Sequence, residues 1–183
     1  MNQREIDIVY LRHAWQYAEK NSVDPSTQNG AIIVRKNRFI DLSSYNIMGY
    51  GTTTFPSDLI KATPERLTRP KKYDWVEHAE RNAIFNVARE GKPTKGCIMY
   101  VPWFACADCG RAIINAEISE VVGSTWPEKW WGERDNGKGS RIDWAKSIET
   151  ALEMFDEVGV KYRWVDGEIG GVQVLFDEKL RSP

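Results

Sequence analysis

Cys97-Ile98-Met99-Tyr100-Val101-Pro102-Trp103-Phe104-Ala105-Cys106-Ala107-Asp108-Cys109 opens with a short apolar run and ends in a Cys-x-x-Cys pair. The run has the length and character of a buried strand. Cys106 is placed to open a helix that turns Cys109, Ala112, Ile113 and Ala116 inward, and Ile118 to Val122 reads as the next strand. A strand–helix–strand unit within one sheet requires a right-handed parallel crossover. On a helix, residues three apart share a face, so Cys106 and Cys109 point the same way. At the first turn they also meet the positive end of the helix dipole, which favours thiolates.

Upstream lies Asp74-Trp75-Val76-Glu77-His78-Ala79-Glu80. Asp74 is expected to cap a helix running to about Glu90, with Glu77 completing a capping box. Gly91 is placed to end that helix, with Pro93 beyond. Residues two apart on a regular helix point in nearly opposite directions. His78 and Glu80 can therefore serve one site only near the helix end. His78, Cys106 and Cys109 give three zinc ligands, one short of a closed structural site. An open fourth position belongs to catalytic zinc, where water becomes a nucleophile near neutral pH. Glu80 then has the role of general base. The competing reading is a non-catalytic, zinc-stapled binding module, which needs His13 or Cys97 as a fourth ligand. Cys97 alone reads as a small buried residue, and His13 as a partly buried, hydrogen-bonded histidine.

Working outward, Arg4 to Lys20 has helical periodicity through Ile6, Val9, Tyr10, His13, Ala14, Tyr17 and Ala18. Asn21 to Gln28 is turn-forming. Gly30 to Val34 and Phe39 to Tyr45 suggest a hairpin, which makes antiparallel neighbours. An irregular stretch, Asn46 to about Tyr73, carries Gly49, Gly51, three consecutive threonines and Pro56, Pro64 and Pro70. A loop so long, just before the metal motif, reads as a cover close to substrate or as a plain insertion. The tryptophans Trp126, Trp130 and Trp131 stand in a loop from Ser124 to Ser140, as a pocket wall, a subunit interface or a local mini-core. Trp144 to Val158 reads as an amphipathic helix, and Val160 to Val165 and Gly171 to Leu175 as final strands. The expected architecture is three-layer α/β/α around a central mixed sheet of about five strands. One domain spans 1–183, with a substrate-proximal loop at about 46–73 and a C-terminal extension from about 124.

The chain has 183 residues, enough for one domain with a proper core. A net charge of −1 provides no overall basic field, which argues against a polynucleotide substrate. Three cysteines do not make a disulfide scaffold. No apolar run approaches a membrane span, and the opening Met1-Asn2-Gln3-Arg4-Glu5 lacks a signal-peptide core, so a cytoplasmic location is expected.

His-x-Glu followed by Pro-Cys-x-x-Cys is the signature of zinc deaminases. Here Ala105 stands where the proline belongs, and Pro102 lies three residues before it, so an altered loop with intact chemistry is expected. Asp24-Pro25-Ser26-Thr27-Gln28-Asn29-Gly30-Ala31-Ile32-Ile33-Val34, Lys72 to Ile84 and the strand Ile98 to Val101 resemble deoxycytidylate (dCMP) deaminases over roughly residues 5 to 123. The resemblance implies a cytidine-deaminase-like fold and a zinc hydrolase that deaminates a deoxynucleoside monophosphate, dCMP to dUMP with loss of ammonia. A deaminase of another small aminated nucleobase or nucleoside is the alternative. The family carries Gly-Tyr-Asn-Gly after its second strand, with the Asn near the sugar. Ser44-Tyr45-Asn46-Ile47 is matched to it, keeping Asn46 and replacing both glycines. Trp103 or Phe104 is expected against the base, and Arg69, Lys71 and Lys72 are candidates for the phosphate. The resemblance also implies a homo-oligomer and nucleotide regulators, dCTP and dTTP.

Overall fold

A computed structural model describes residues 1–36, 45–125 and 144–183. Helix α1 (Gln3–Asn21) starts with a capping box, in which Asn2 accepts from the Glu5 amide and the Glu5 carboxylate accepts from the Asn2 amide. Strands β1 (Gly30–Lys36) and β2 (Tyr45–Thr52) form an antiparallel pair. Short helices α2 (Pro64–Leu67) and α3 (Lys72–Trp75) precede α4 (Ala79–Arg89). Strand β3 (Ile98–Tyr100), α5 (Ala107–Asn115), β4 (Glu120–Ser124), α6 (Trp144–Val158) and β5 (Lys161–Val165) then alternate. A separate hairpin, β6 (Val174–Phe176) and β7 (Lys179–Arg181), follows.

The central sheet has five strands in the order β2-β1-β3-β4-β5. β1 runs antiparallel to β2 and β3, while β3, β4 and β5 are mutually parallel. This is the mixed three-layer arrangement expected. Period-two alternation in β1 sends Ala31 and Ile33 to the face covered by α4, α5 and α6, and Ile32 and Val34 to the face covered by α1. Phe155, Ile113, Val87 and Met99 fill the first core. Leu11, Trp15, Tyr100 and Phe176 fill the second. Glycine permits the close contacts at both faces. A Cβ on Gly30 would sit 2.0 Å from the Ala14 carbonyl oxygen, and one on Gly51 would sit 2.1 Å from that of Ala79.

Three expectations are corrected. The inward face of α1 is Ile6, Asp7, Leu11, Ala14, Trp15 and Ala18, and His13 lies outside that stripe, although it is partly buried as expected. Asp7 belongs inside because Tyr100 donates to it at 2.8 Å and Arg163 pairs with it. Second, β2 is Tyr45–Thr52, inside the stretch read as irregular; Phe39 to Ser44 lies outside the described residues. The loop before the metal motif is correspondingly shorter. Third, α4 starts at Ala79, not at Asp74, which sits in α3. The reason is an isolated antiparallel bridge: the Glu77 amide donates to Thr54 at 2.8 Å, and the Thr54 amide donates back at 3.3 Å. That bridge holds residues 76–78 extended.

The C-terminal extension supplies α6, β5 and the β6–β7 hairpin, and so part of both cores. Trp126, Trp130 and Trp131 lie outside the described residues.

Candidate active site

Two helices begin at the same place. His78 is the N-cap residue of α4, with extended backbone (φ −74°, ψ 156°), and Cys106 is the N-cap residue of α5 (φ −73°, ψ 171°). Being outside the helix frees His78 from helical geometry. His78 and Glu80 can then face one site although they are two apart. Both helix starts lie beyond the carboxyl ends of β3 and β4, where parallel strands of an open α/β sheet leave a crevice. Their dipoles add positive potential there, which suits thiolates.

His78 Nδ1 lies 3.6 Å from Cys106 Sγ and 3.5 Å from Cys109 Sγ. The three ligand atoms lie within 4.8 Å of one another. A tetrahedral zinc with Zn–S of about 2.3 Å and Zn–N of about 2.0 Å separates sulfur from nitrogen by about 3.5 Å. The donor spacing therefore fits zinc. Among the described residues the group holds three donors, and neither His13 nor Cys97 joins it. Cys97 is buried in the core, its thiol directed at the Pro93 carbonyl. The fourth ligand needed by the purely structural reading is thus not among the described residues.

The three donor groups shift one another's protonation equilibria. The Cys106 thiol is pushed down to about 4, by a hydrogen bond from Cys109 and then by His78. The Cys109 thiol moves well up, because it donates to Cys106 and is buried. Burial opposes charge on His78, but Cys106 and Glu80 outweigh it and raise its pKa. Glu80 is 3% exposed. Burial pushes its carboxyl up to about 7, against a lowering influence from His78. Its Oε2 has no hydrogen-bond partner among the described residues, as befits a group whose partner is a reactant.

Neighbouring side chains hold this frame. Glu77 accepts from the His78 amide at 3.0 Å and pairs with Arg81, which reaches Asp108 of α5 at 3.7 Å. The Ala107 amide donates to Ser147 of α6 at 3.0 Å. Ala105, standing in the proline position, is fully buried in the core, so apolar packing fixes the loop that a proline ring would stiffen.

A cavity opens against this centre. It is lined by His78, Glu80 and Cys106, and also by Asp24, Thr27, Arg69 and Lys72, a charged cluster held together by its own hydrogen bonds. Trp103 and Phe104 form part of its wall. Trp103 stacks on Phe176 (4.7 Å between centroids) and Phe104 on Trp164 (4.6 Å). Arg69 donates to Asp177 at 2.6 Å and to Thr27 at 3.1 Å, while its buried Nε has no partner among the described residues. Lys72 is buried against Asp24 at 2.5 Å and Ser26 at 2.9 Å. Lys71 is paired with Glu65 on the surface and is not part of the wall.

Asn46 is not brought into the cavity. It is exposed and pairs in register with Arg35, whereas the cavity lies at the other end of the hairpin, near Thr53. Six residues of strand put it about 20 Å away from Thr52. β2 passes against α4 at Gly49, where a Cβ would sit 2.7 Å from Val87. Sequence reasoning also missed Asn29, Thr53, Tyr73, Trp144, Ile148 and Phe176. Trp144 and Ile148 had one signal, their i,i+4 spacing on α6, but nothing local says that this face meets His78; the Trp144 and His78 rings are 5.8 Å apart.

Residues 4–125 match the family model described as the cytidine and deoxycytidylate deaminase zinc-binding region. Human deoxycytidylate deaminase is 38% identical over 164 residues, covering 90% of this chain and 82% of that one. Among solved structures, the dCMP deaminase of cyanophage S-TIM5 in complex with dCMP and dUMP superposes with a TM-score of 0.61 at 21% identity, over 90% of this chain and 98% of the other. A Thermotoga maritima diaminohydroxyphosphoribosylaminopyrimidine deaminase/reductase superposes with a TM-score of 0.54 at 20% identity, over 90% of this chain and 37% of the other. At those identities the two structures speak for the fold alone. With the family model covering two-thirds of its length and a zinc-spaced donor triad beneath it, this chain belongs to the cytidine and deoxycytidylate deaminase family, a family of zinc enzymes.

Proposed function

We propose that this protein hydrolyses dCMP to dUMP and ammonia, with zinc held by His78, Cys106 and Cys109 and Glu80 as the proton carrier. The observation that carries the reading is the three-donor group at zinc spacing, opening on a cavity lined by Glu80, whose buried Oε2 has no partner among the described residues. Zinc bound there supplies a water activated for attack at neutral pH. Glu80 would accept a proton from the attacking water and give it to the ring nitrogen beside the attacked carbon, and would then carry the proton of the newly added hydroxyl to the amine as the C–N bond breaks and ammonia leaves. Its raised pKa suits a group that must both accept and return a proton near neutrality.

Trp103 and Phe104 stand as the wall for the base. Arg69 is the stronger phosphate candidate, since its Nε–H lacks a described partner and Lys72 is already engaged by Asp24. The human relative's name and the dCMP and dUMP of the cyanophage complex support a deoxycytidylate substrate. Homo-oligomerisation and control by dCTP and dTTP complete the reading. Light scattering and assays with those nucleotides test them.

The experiment for the activity is a substrate panel on zinc-loaded protein, read by ammonia release. dCMP is expected to outrun CMP, deoxycytidine and cytosine. Turnover of free cytosine or deoxycytidine without turnover of dCMP overturns the nucleotide assignment.

No described helix is long and apolar enough to cross a membrane.

A further inference from the structure

Asn29 brings to the cavity a hydrogen-bonding group that no described residue uses. Its Oδ1 is withdrawn from solvent and has no donor among the described residues. The residue lines the cavity together with Glu80 and Trp103. Its backbone is fixed. The Asn29 carbonyl accepts from the Thr53 amide at 3.3 Å and from the Thr52 hydroxyl at 2.7 Å, and Gly30, next in the chain, is pressed against α1. The main chain therefore has little freedom to carry the amide away. A buried carbonyl oxygen left unpaired is costly, and a folded chain retains one where a partner arrives from outside.

Position along the chain identifies that partner. Thr27, two residues before, touches Arg69 in the charged cluster of the cavity wall. Ala31, two residues after, packs with Ala79 and the metal-binding cysteines. Alternate residues of extended chain are about 7 Å apart. Along the chain Asn29 thus stands between a residue of the charged cluster, which suits a phosphate, and one packed at the metal-donor group, and a nucleotide spanning the two would bring its sugar past Asn29. We infer that Asn29 is a specificity-determining residue that accepts a hydrogen bond from a hydroxyl of the substrate's sugar. The inference rests on the nucleotide-deaminase reading of this cavity.

The test compares kcat/KM for dCMP and for 2′,3′-dideoxycytidine monophosphate, in the zinc-loaded wild type and in Asn29→Val. Val has nearly the same volume and no amide. The wild type is expected to prefer dCMP by about ten- to a hundredfold. Asn29→Val is expected to lose that factor on dCMP and little on the dideoxy analogue, so that the preference collapses. Equal losses on both substrates, as a purely structural role would give, overturn the inference. So does a preference that survives in the variant, or its absence from the wild type. If Asn29→Val does not fold, Asn29→Ala is read by the same ratio. A wild type that deaminates neither nucleotide sinks the proposed function as well, whereas dCMP turnover with an unaltered ratio removes only the role of Asn29.

Discussion

Lys72 Nζ lies 2.5 Å from Asp24 Oδ2, and both side chains are almost wholly withdrawn from solvent. The pair joins the short helix before the metal motif to the turn before β1, across 48 positions of sequence. Ser26 adds a hydrogen bond to the ammonium at 2.9 Å, and Asp24 in turn accepts from the Ser26 and Thr27 amides. The charge of Lys72 is thus answered inside the protein, and its role is to tie the cavity's walls together. Lys72→Met is expected to destabilise the fold by about 3–5 kcal/mol, because Asp24 is left charged and buried. Replacing Asp24 as well, in Lys72→Met/Asp24→Leu, should recover much of the loss. Denaturant unfolding of both variants measures the coupling, and equal stability of the single and double variants would refute it.

Arg69 is expected to behave differently. Arg69→Gln should raise KM for dCMP by about tenfold or more, the value of a charge-assisted hydrogen bond, and alter turnover of deoxycytidine little. The two substrates, assayed side by side, separate phosphate contact from damage to the wall.

Glu80→Gln is predicted to retain one zinc per chain and a native melting curve while kcat falls by about 10²–10⁴-fold, the contribution of a positioned proton carrier. Metal analysis on the variant decides the matter. Lost zinc would make Glu80 part of the metal site's structure.

Removing the metal with a chelator should abolish turnover and lower Tm, because two thiols and an imidazole packed together lose the ion that binds them. Added zinc should restore both. Cys109→Ser should bind zinc more weakly than the wild type in a competition titration with a chromogenic chelator.

Gly51→Ala tests the contact between β2 and α4. The added methyl would sit 2.1 Å from the Ala79 carbonyl oxygen and 2.2 Å from the Ala83 amide nitrogen, both backbone atoms that cannot step aside cheaply. A loss of about 1–3 kcal/mol is expected, together with reduced activity, since Ala79 lies between His78 and Glu80. Thermal unfolding followed by assay of the folded variant reads both.

The group of His78, Cys106 and Cys109, the carboxylate of Glu80 beside it and the alternation of strands and helices in the second half were legible in the sequence. Those features are local. Cys-x-x-Cys at a helix start, His-x-Glu, and a helical face such as that of α6 all need only neighbouring residues to be legible. What only the tertiary structure decided depends on partners far apart in sequence. The bridge between Thr54 and Glu77 places His78 outside α4. The β1–β2 register puts Asn46 at the end of the hairpin away from the cavity, while Asn29, just before β1, lines it. Asp7 turns inward because Tyr100 and Arg163 meet it there. Trp144 and Ile148 reach the cavity because α6 packs on α5, with Ala151 against Gly110. Pairing across the sheet and the packing of small residues between layers carry no local periodic signature, and so they became visible only once the chain was folded.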